Sequence, residues 1–150
     1  MAEADLAQVR ARAIRLLARR EHSRLELTRK LQQRGLDSGL ISAALDDLAQ
    51  EGLQSDQRYA DSLINSRIGR GQGPLKIRAE LNQGGVDDAL VEAALKEQSP
   101  DWSALASQVR RRRFGAELPA AYEEKVRQAR FLSGRGFASD TIWQVLGGEE

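Results

Sequence analysis

Residues Tyr59 to Val86 read YADSLINSRIGRGQGPLKIRAELNQGGV: a helical pattern, a glycine turn, a second helical pattern and a second glycine turn. The closing motif Leu81-Asn82-Gln83-Gly84-Gly85-Val86 returns 50 residues earlier as Leu31-Gln32-Gln33-Arg34-Gly35-Leu36, and 51 residues later as Leu132-Ser133-Gly134-Arg135-Gly136-Phe137. Glycine falls on glycine each time. The segment beyond keeps the register, since Ile41, Ala44 and Leu45 match Val91, Ala94 and Leu95, and these match Ile142, Val145 and Leu146. A period of this size is the mark of a repeat architecture. The reading is all-α: three tandem three-helix repeats, 1–53, 54–98 and 99–150, forming an elongated, curved array.

Working outward, the first repeat opens with Leu6, Val9, Ala13, Leu16 and Leu17 at helical spacing. Arg12, Arg15 and Arg19 fall on the opposite side in one narrow stripe, which is either a solvated face or a contact surface. Ser23 with Glu26 three residues on is a capping box. It starts a helix whose Leu27 and Leu31 point inward and which Gly35 stops. Asp37 or Ser38 caps the next helix, with Leu40, Ile41, Ala44, Leu45 and Leu48 inward and Gly52 at its end.

The second repeat begins near Ser55 or Asp56 and buries Tyr59, Ala60, Leu63, Ile64 and Ile68. Its glycines at 69, 71 and 73 permit a sharp reversal, and Pro74 suits the first position of a helix, where a missing N–H costs nothing. Asp87 caps the helix that follows, and Ser99-Pro100 marks the next joint. The third repeat runs from Trp102, Leu105, Ala106 and Val109 into Arg110-Arg111-Arg112-Arg113. It continues through a helix bearing Tyr122, Val126, Ala129 and Leu132, and Ser139 caps the last helix. Trp102, Trp143 and both tyrosines fall in step with apolar neighbours, which favours core positions. The glycines at 35, 85 and 136 each follow a helix and precede an apolar residue, so a left-handed turn is expected at each.

Composition sets limits on function. There is no cysteine, so disulfides, thiolate chemistry and zinc knuckles are excluded; that suits a reducing compartment. No apolar run approaches the roughly 18 residues that a membrane helix needs, so the expectation is a soluble, cytoplasmic chain with no membrane partner. His22 is the sole histidine and has no second ligand or nucleophile in sequence reach. The paired acids 46–47, 87–88 and 123–124 diverge by about 100° on helices and do not share a proton or a metal. The 69–74 glycine loop follows no strand and lacks the Gly-Lys-Ser/Thr ending of a phosphate loop. The chain is therefore read as a non-enzyme with no cofactor and no metal.

Charge is near balance, with a net +1, but unevenly placed. Of the 23 basic residues 19 are Arg, and from Gln8 to Arg34 nine bases face only Glu21 and Glu26. Guanidinium forks suit phosphates and carboxylates. Four successive arginines, 110–113, point to all sides of a helix, so they are either a solvated helix end or a contact whose field attracts a phosphate backbone or an acidic protein surface.

Several motifs together resemble the RecX family, bacterial modulators of the RecA recombinase. They are Asp56-x-x-Tyr59-Ala60, Arg67, Gly71-x-Gly73-Pro74-x-x-Ile77-x-x-Glu80-Leu81 and Gly85-Val86, with Ser23-x-x-Glu26-Leu27, Arg113-Phe114-Gly115 and Phe131-Leu132-x-x-Arg135-Gly136-Phe137. The resemblance covers nearly the whole chain. It implies a monomeric regulator that binds RecA, free and as the filament on single-stranded DNA, and inhibits filament growth, strand exchange and ATP hydrolysis. The candidate contact residues are Arg12, Arg15, Arg19, Arg67, Arg70, Lys76, Arg110, Arg111, Arg112 and Arg113. The alternative is a helix-turn-helix-like protein that binds DNA directly, because each unit holds short helices joined by a glycine turn.

Overall fold

In the computed structural model, which describes residues 2–98 and 100–147, nine helices and no strand are found among the described residues. They are α1 (Ala2–Arg19), α2 (Arg24–Gln33), α3 (Ser38–Gln50), α4 (Asp56–Gly69), α5 (Pro74–Gln83), α6 (Asp88–Gln98), α7 (Trp102–Phe114), α8 (Tyr122–Gly134) and α9 (Ser139–Leu146). The order is three three-helix domains in tandem. Ser99 of the expected Ser99-Pro100 joint lies outside the described residues, as do 148–150 at the end of the third expected repeat.

Local chemistry sets the helix ends. Ser23 Oγ accepts from the Glu26 N–H at 3.1 Å while Glu26 accepts from the Ser23 N–H at 3.2 Å, completing the capping box. Asp37, not Ser38, caps α3 by accepting from the Leu40 N–H. Ser55 accepts from the Arg58 N–H, and Asp87 from the Ala89 N–H. The expected Ser139 cap is not formed: α9 starts at Ser139, and Ala138, which has no side-chain acceptor, occupies the cap position. Gly35, Gly85 and Gly136 have φ of 78°, 77° and 95°, the left-handed turns that their recurrence predicts.

The chain forms two compact units, Met1–Ser62 with Leu81–Ala94, and Leu63–Glu80 with Leu95–Glu150. In the first, Val9 and Ala13 of α1, Leu27 and Leu31 of α2 and Ile41, Ala44, Leu45 and Leu48 of α3 form one core. In the second, Ala106, Leu132, Phe137, Ile142 and Leu146 do the same for α7, α8 and α9. Tyr122 departs from the expected core position. It is 71% exposed, because it sits in the first turn of α8, stacked on Trp143 with centroids 6.4 Å apart.

The same joint is built twice, once inside each unit. At the start of α2, the Ser23 hydroxyl donates to the Gly84 carbonyl at 2.6 Å, and a Cβ on Gly85 would stand 2.8 Å from Leu25 Cβ. At the start of α5, the Gly73 N–H donates to the Arg135 carbonyl at 2.7 Å and the Leu75 N–H to the Gly136 carbonyl at 2.9 Å. A Cβ on Gly73 would come within 2.5 Å of the Gly136 backbone. In both joints the first turn of a middle helix meets the glycine turn that ends the next middle helix; in the second, two backbone donors of that first turn are satisfied there, whereas in the first the Ser23 hydroxyl makes the contact and the Arg24 N–H donates to Asp56 instead. Gly35 ends the first middle helix with no atom within 4 Å of its Cβ position, so φ alone calls for glycine there.

Candidate functional site

Burial of Val9 and Ala13 turns the stripe Arg12, Arg15, Arg19 away from the α1–α3 interface and toward α2. Burial of Leu27 and Leu31 in turn sets Lys30 and Arg34 on the facing edge of α2. Between the two helices lies a groove of about 420 Å³, lined by Arg12, Arg15, Leu16, Arg19, Lys30, Leu31, Gln33 and Arg34. Five of these eight residues are cationic and none is acidic, above a floor of two leucines. Four acids of the same unit pair with other bases: Glu51 with Arg10, Glu26 with Arg20, Asp46 with Arg24 and Glu21 with Arg58. Arg12, Arg15, Arg19 and Arg34 take no part in an ion pair among the described residues.

Lys30 is positioned from below. His22 is 2% exposed, its Nδ1–H donates to the Arg20 carbonyl at 3.0 Å, and its bare Nε2 accepts from Lys30 Nζ at 3.0 Å. Burial holds its pKa below the ordinary value; the hydrogen bond to Arg20 opposes this, and the charges of Arg20 and Lys30 reinforce it. His22 therefore serves as a neutral acceptor that fixes an ammonium. Among the described residues no cluster of His, Cys, Asp or Glu could hold a metal ion.

The other sequence candidates separate. Arg67 forms a bidentate pair with Glu80, Nε to Oε1 at 2.9 Å and Nη2 to Oε2 at 2.5 Å, so its fork is already engaged between α4 and α5. Lys76 reaches toward the Gly134 carbonyl beside the second joint. Arg110 corrects the expectation of an outward run. It is 1% exposed, and its guanidinium donates to the carbonyls of Gly115, Ala116 and Glu117 and to Gln128 Oε1, closing the turn after α7. Its two terminal nitrogens are thus committed to the turn after α7 and to Gln128, while its buried Nε has no hydrogen-bond partner among the described residues. Arg111, Arg112 and Arg113 are exposed.

Arg112, Arg113 and Arg70 meet at a pocket of about 260 Å³ that also takes in Gly71, Val109, Phe131 and Arg135. The guanidinium carbons of Arg113 and Arg135 lie 5.4 and 5.2 Å from the Phe131 centroid. The sequence reading missed Lys30, Arg34 and Arg135. The available signals were the i, i+4 pair Lys30/Arg34 on α2 and the i, i+4 spacing of Phe131 and Arg135.

Comparison with known proteins decides the family. The first, second and third three-helix domains of RecX match residues 10–48, 55–95 and 101–146. The chain belongs to the RecX family. The regulatory protein RecX of Halorhodospira halophila is 49% identical over 95% of this chain and 89% of its own length, and that of Pseudomonas syringae pv. tomato is 51% identical over 93% and 90%. The crystal structure of RecX from Lactobacillus salivarius superposes with a TM-score of 0.81 at 22% identity, covering 97% of this chain and 96% of that one. RecX proteins are named as regulators, not enzymes, and no helix among the described residues is long and apolar enough to cross a membrane.

Proposed function

We propose that this RecX-family chain acts on RecA: it binds RecA, free and as the filament on single-stranded DNA, and inhibits filament growth, strand exchange and ATP hydrolysis. Recombination, DNA repair and the SOS response are thereby modulated, in the cytoplasm and by a monomer. The observation that carries the reading, beside family membership, is the α1/α2 groove. Five cations that no acid among the described residues neutralises flank a two-leucine floor. Such a groove fits an acidic protein segment that also carries an apolar side chain, with the charges steering approach and the half-buried Leu16 meeting the docked segment. A regulator seated this way on one RecA subunit and touching the next resists the subunit motions that growth and hydrolysis require.

The test mixes the purified chain with RecA, ATP and single-stranded DNA. Suppression of hydrolysis well below one regulator per RecA is the expected result. Unchanged hydrolysis, together with tight duplex binding indifferent to RecA, would overturn the reading in favour of a direct DNA-binding protein.

A further inference from the structure

The pocket at Phe131 differs in kind from the α1/α2 groove. Arg113 and Arg135 both lie against one phenyl ring, Phe114 meets that ring edge-on at 5.4 Å, and Arg127 lies 5.1 Å from the Phe114 centroid. Arg135 also donates to the Arg70 carbonyl at 3.3 Å, and Gly71 is seated against Val109, where a Cβ would come 2.8 Å from a methyl. The glycine loop thereby brings Arg70 to the same pocket. Stacking on an aromatic ring stabilises a guanidinium by about 0.5–1 kcal/mol at exposed sites and holds its plane, but leaves the N–H edge free to donate. Like charges are thus gathered and oriented around a space that no acidic side chain lines among the described residues.

A second depression, lined by Ala104, Ser107, Gln108, Arg111 and Arg112, adjoins it on the outer face of α7 and shares Arg112. It too lacks an acid and adds neutral donors at Ser107 and Gln108. Carbon lines part of both depressions, but every charged group at them is a guanidinium, and an apolar peptide side chain would leave those forks without acceptors. A chain of regularly spaced anions supplies them. We infer that the outer face of α7, from the Phe131 pocket through Arg112 to Arg111, is a track for the phosphodiester backbone of a single nucleic-acid strand. Successive phosphates accept from these forks and no base is read. This goes beyond the RecA reading, because it assigns a direct contact with DNA, and it is tested without RecA so that either idea can fail alone.

The test is fluorescence anisotropy of a labelled oligodeoxythymidine with the full chain over a series of salt concentrations. Arg111→Gln with Arg112→Gln changes two exposed side chains and keeps the fold, as a melt verifies. The expected result is an affinity lowered about tenfold at low salt, with the slope of log K against log salt reduced by about 1.4, because each phosphate contact on a single strand contributes about 0.7. Arg135→Gln, made separately, lowers affinity in the same direction. Absent oligonucleotide binding, or an affinity and salt slope unaltered in the α7 variant, overturns the track. So does displacement of the oligonucleotide by polyglutamate as readily as by unlabelled DNA at equal charge, which would make the face a protein contact.

Discussion

Replacing Gly85 and Gly35 by alanine in parallel separates the energy of the first joint from the energy of a left-handed turn. The two glycines have φ of 77° and 78°, so an alanine meets the same backbone penalty at either, about 1–2 kcal/mol. Their surroundings differ. At Gly35 nothing lies within 4 Å of the new methyl, while at Gly85 it would stand 2.6 Å from Leu25 Cδ2 and 2.8 Å from Leu25 Cβ. Optimal carbon contacts lie near 3.5–4.0 Å. Because Leu25 Cβ is fixed to the α2 backbone, rotation of the side chain cannot clear the overlap and the helix itself must shift. Overpacking of that kind costs about 1–3 kcal/mol. Gly35→Ala should therefore lose about 1–2 kcal/mol, and Gly85→Ala about 2–5. In a chain of this size the extra loss separates the melting temperatures by roughly 2–12 °C. Thermal melts followed by circular dichroism read this directly. Equal falls for the two variants would refute the reasoning, since α2 would then not be seated on the Gly84–Gly85 turn.

Arg110→Leu should cost at least about 1–3 kcal/mol by leaving the buried Gln128 oxygen without its donor, whereas Arg111→Gln and Arg112→Gln should each stay within about 0.5 kcal/mol; urea midpoints measure the contrast, and an indifferent Arg110→Leu would mean the turn after α7 closes without it. Ser23→Ala removes both a cap, about 0.5–2 kcal/mol, and the donor to the Gly84 carbonyl, so its loss in a chemical melt should exceed that of Asp37→Ala, which removes a cap alone. His22 has a folded pKa below its ordinary 6.5, so the unfolded chain takes the proton first. Stability from this group is therefore complete above about pH 6.5 and lost as pH falls below it, and His22→Gln should flatten that slope in urea melts between about pH 7.5 and about pH 5. A variant that keeps the full acid sensitivity would assign it to other groups.

Much of this fold is legible in the chain because the signals are local. A helix with Ser23 and Glu26 three apart closes its own first turn, and a glycine that recurs at 35, 85 and 136 marks a backbone angle that other residues resist. What the periodicity cannot convey is the identity of the covering element. Gly73 reads as a turn residue, yet its lack of a side chain serves a backbone approach from residues 135–137, some sixty positions away. Arg110 reads as one of four equivalent arginines. Only the fold of residues 115–117 and the arrival of Gln128 distinguish it, and neither leaves a mark at position 110. Tyr122 keeps the helical spacing of a core residue but stands at a helix start, where the packing face has not yet closed. The α1/α2 groove was half visible: Arg12, Arg15 and Arg19 share a stripe in any helix, while Lys30 and Arg34 face them only once α2 folds back.

The most direct measurement of the central claim is RecA-dependent ATP hydrolysis on single-stranded DNA, titrated with the native chain and with Arg15→Gln/Arg19→Gln. Both side chains are exposed and take no part in an ion pair among the described residues, so the melt should be unchanged within about 0.5 kcal/mol. The native chain should suppress hydrolysis well below equimolar ratio, the variant should need several-fold more protein for the same suppression, and added salt should narrow the difference as the charges are screened. Equal suppression by the two proteins at every salt concentration would contradict the central claim, because RecA would then be held by a surface other than the α1/α2 groove.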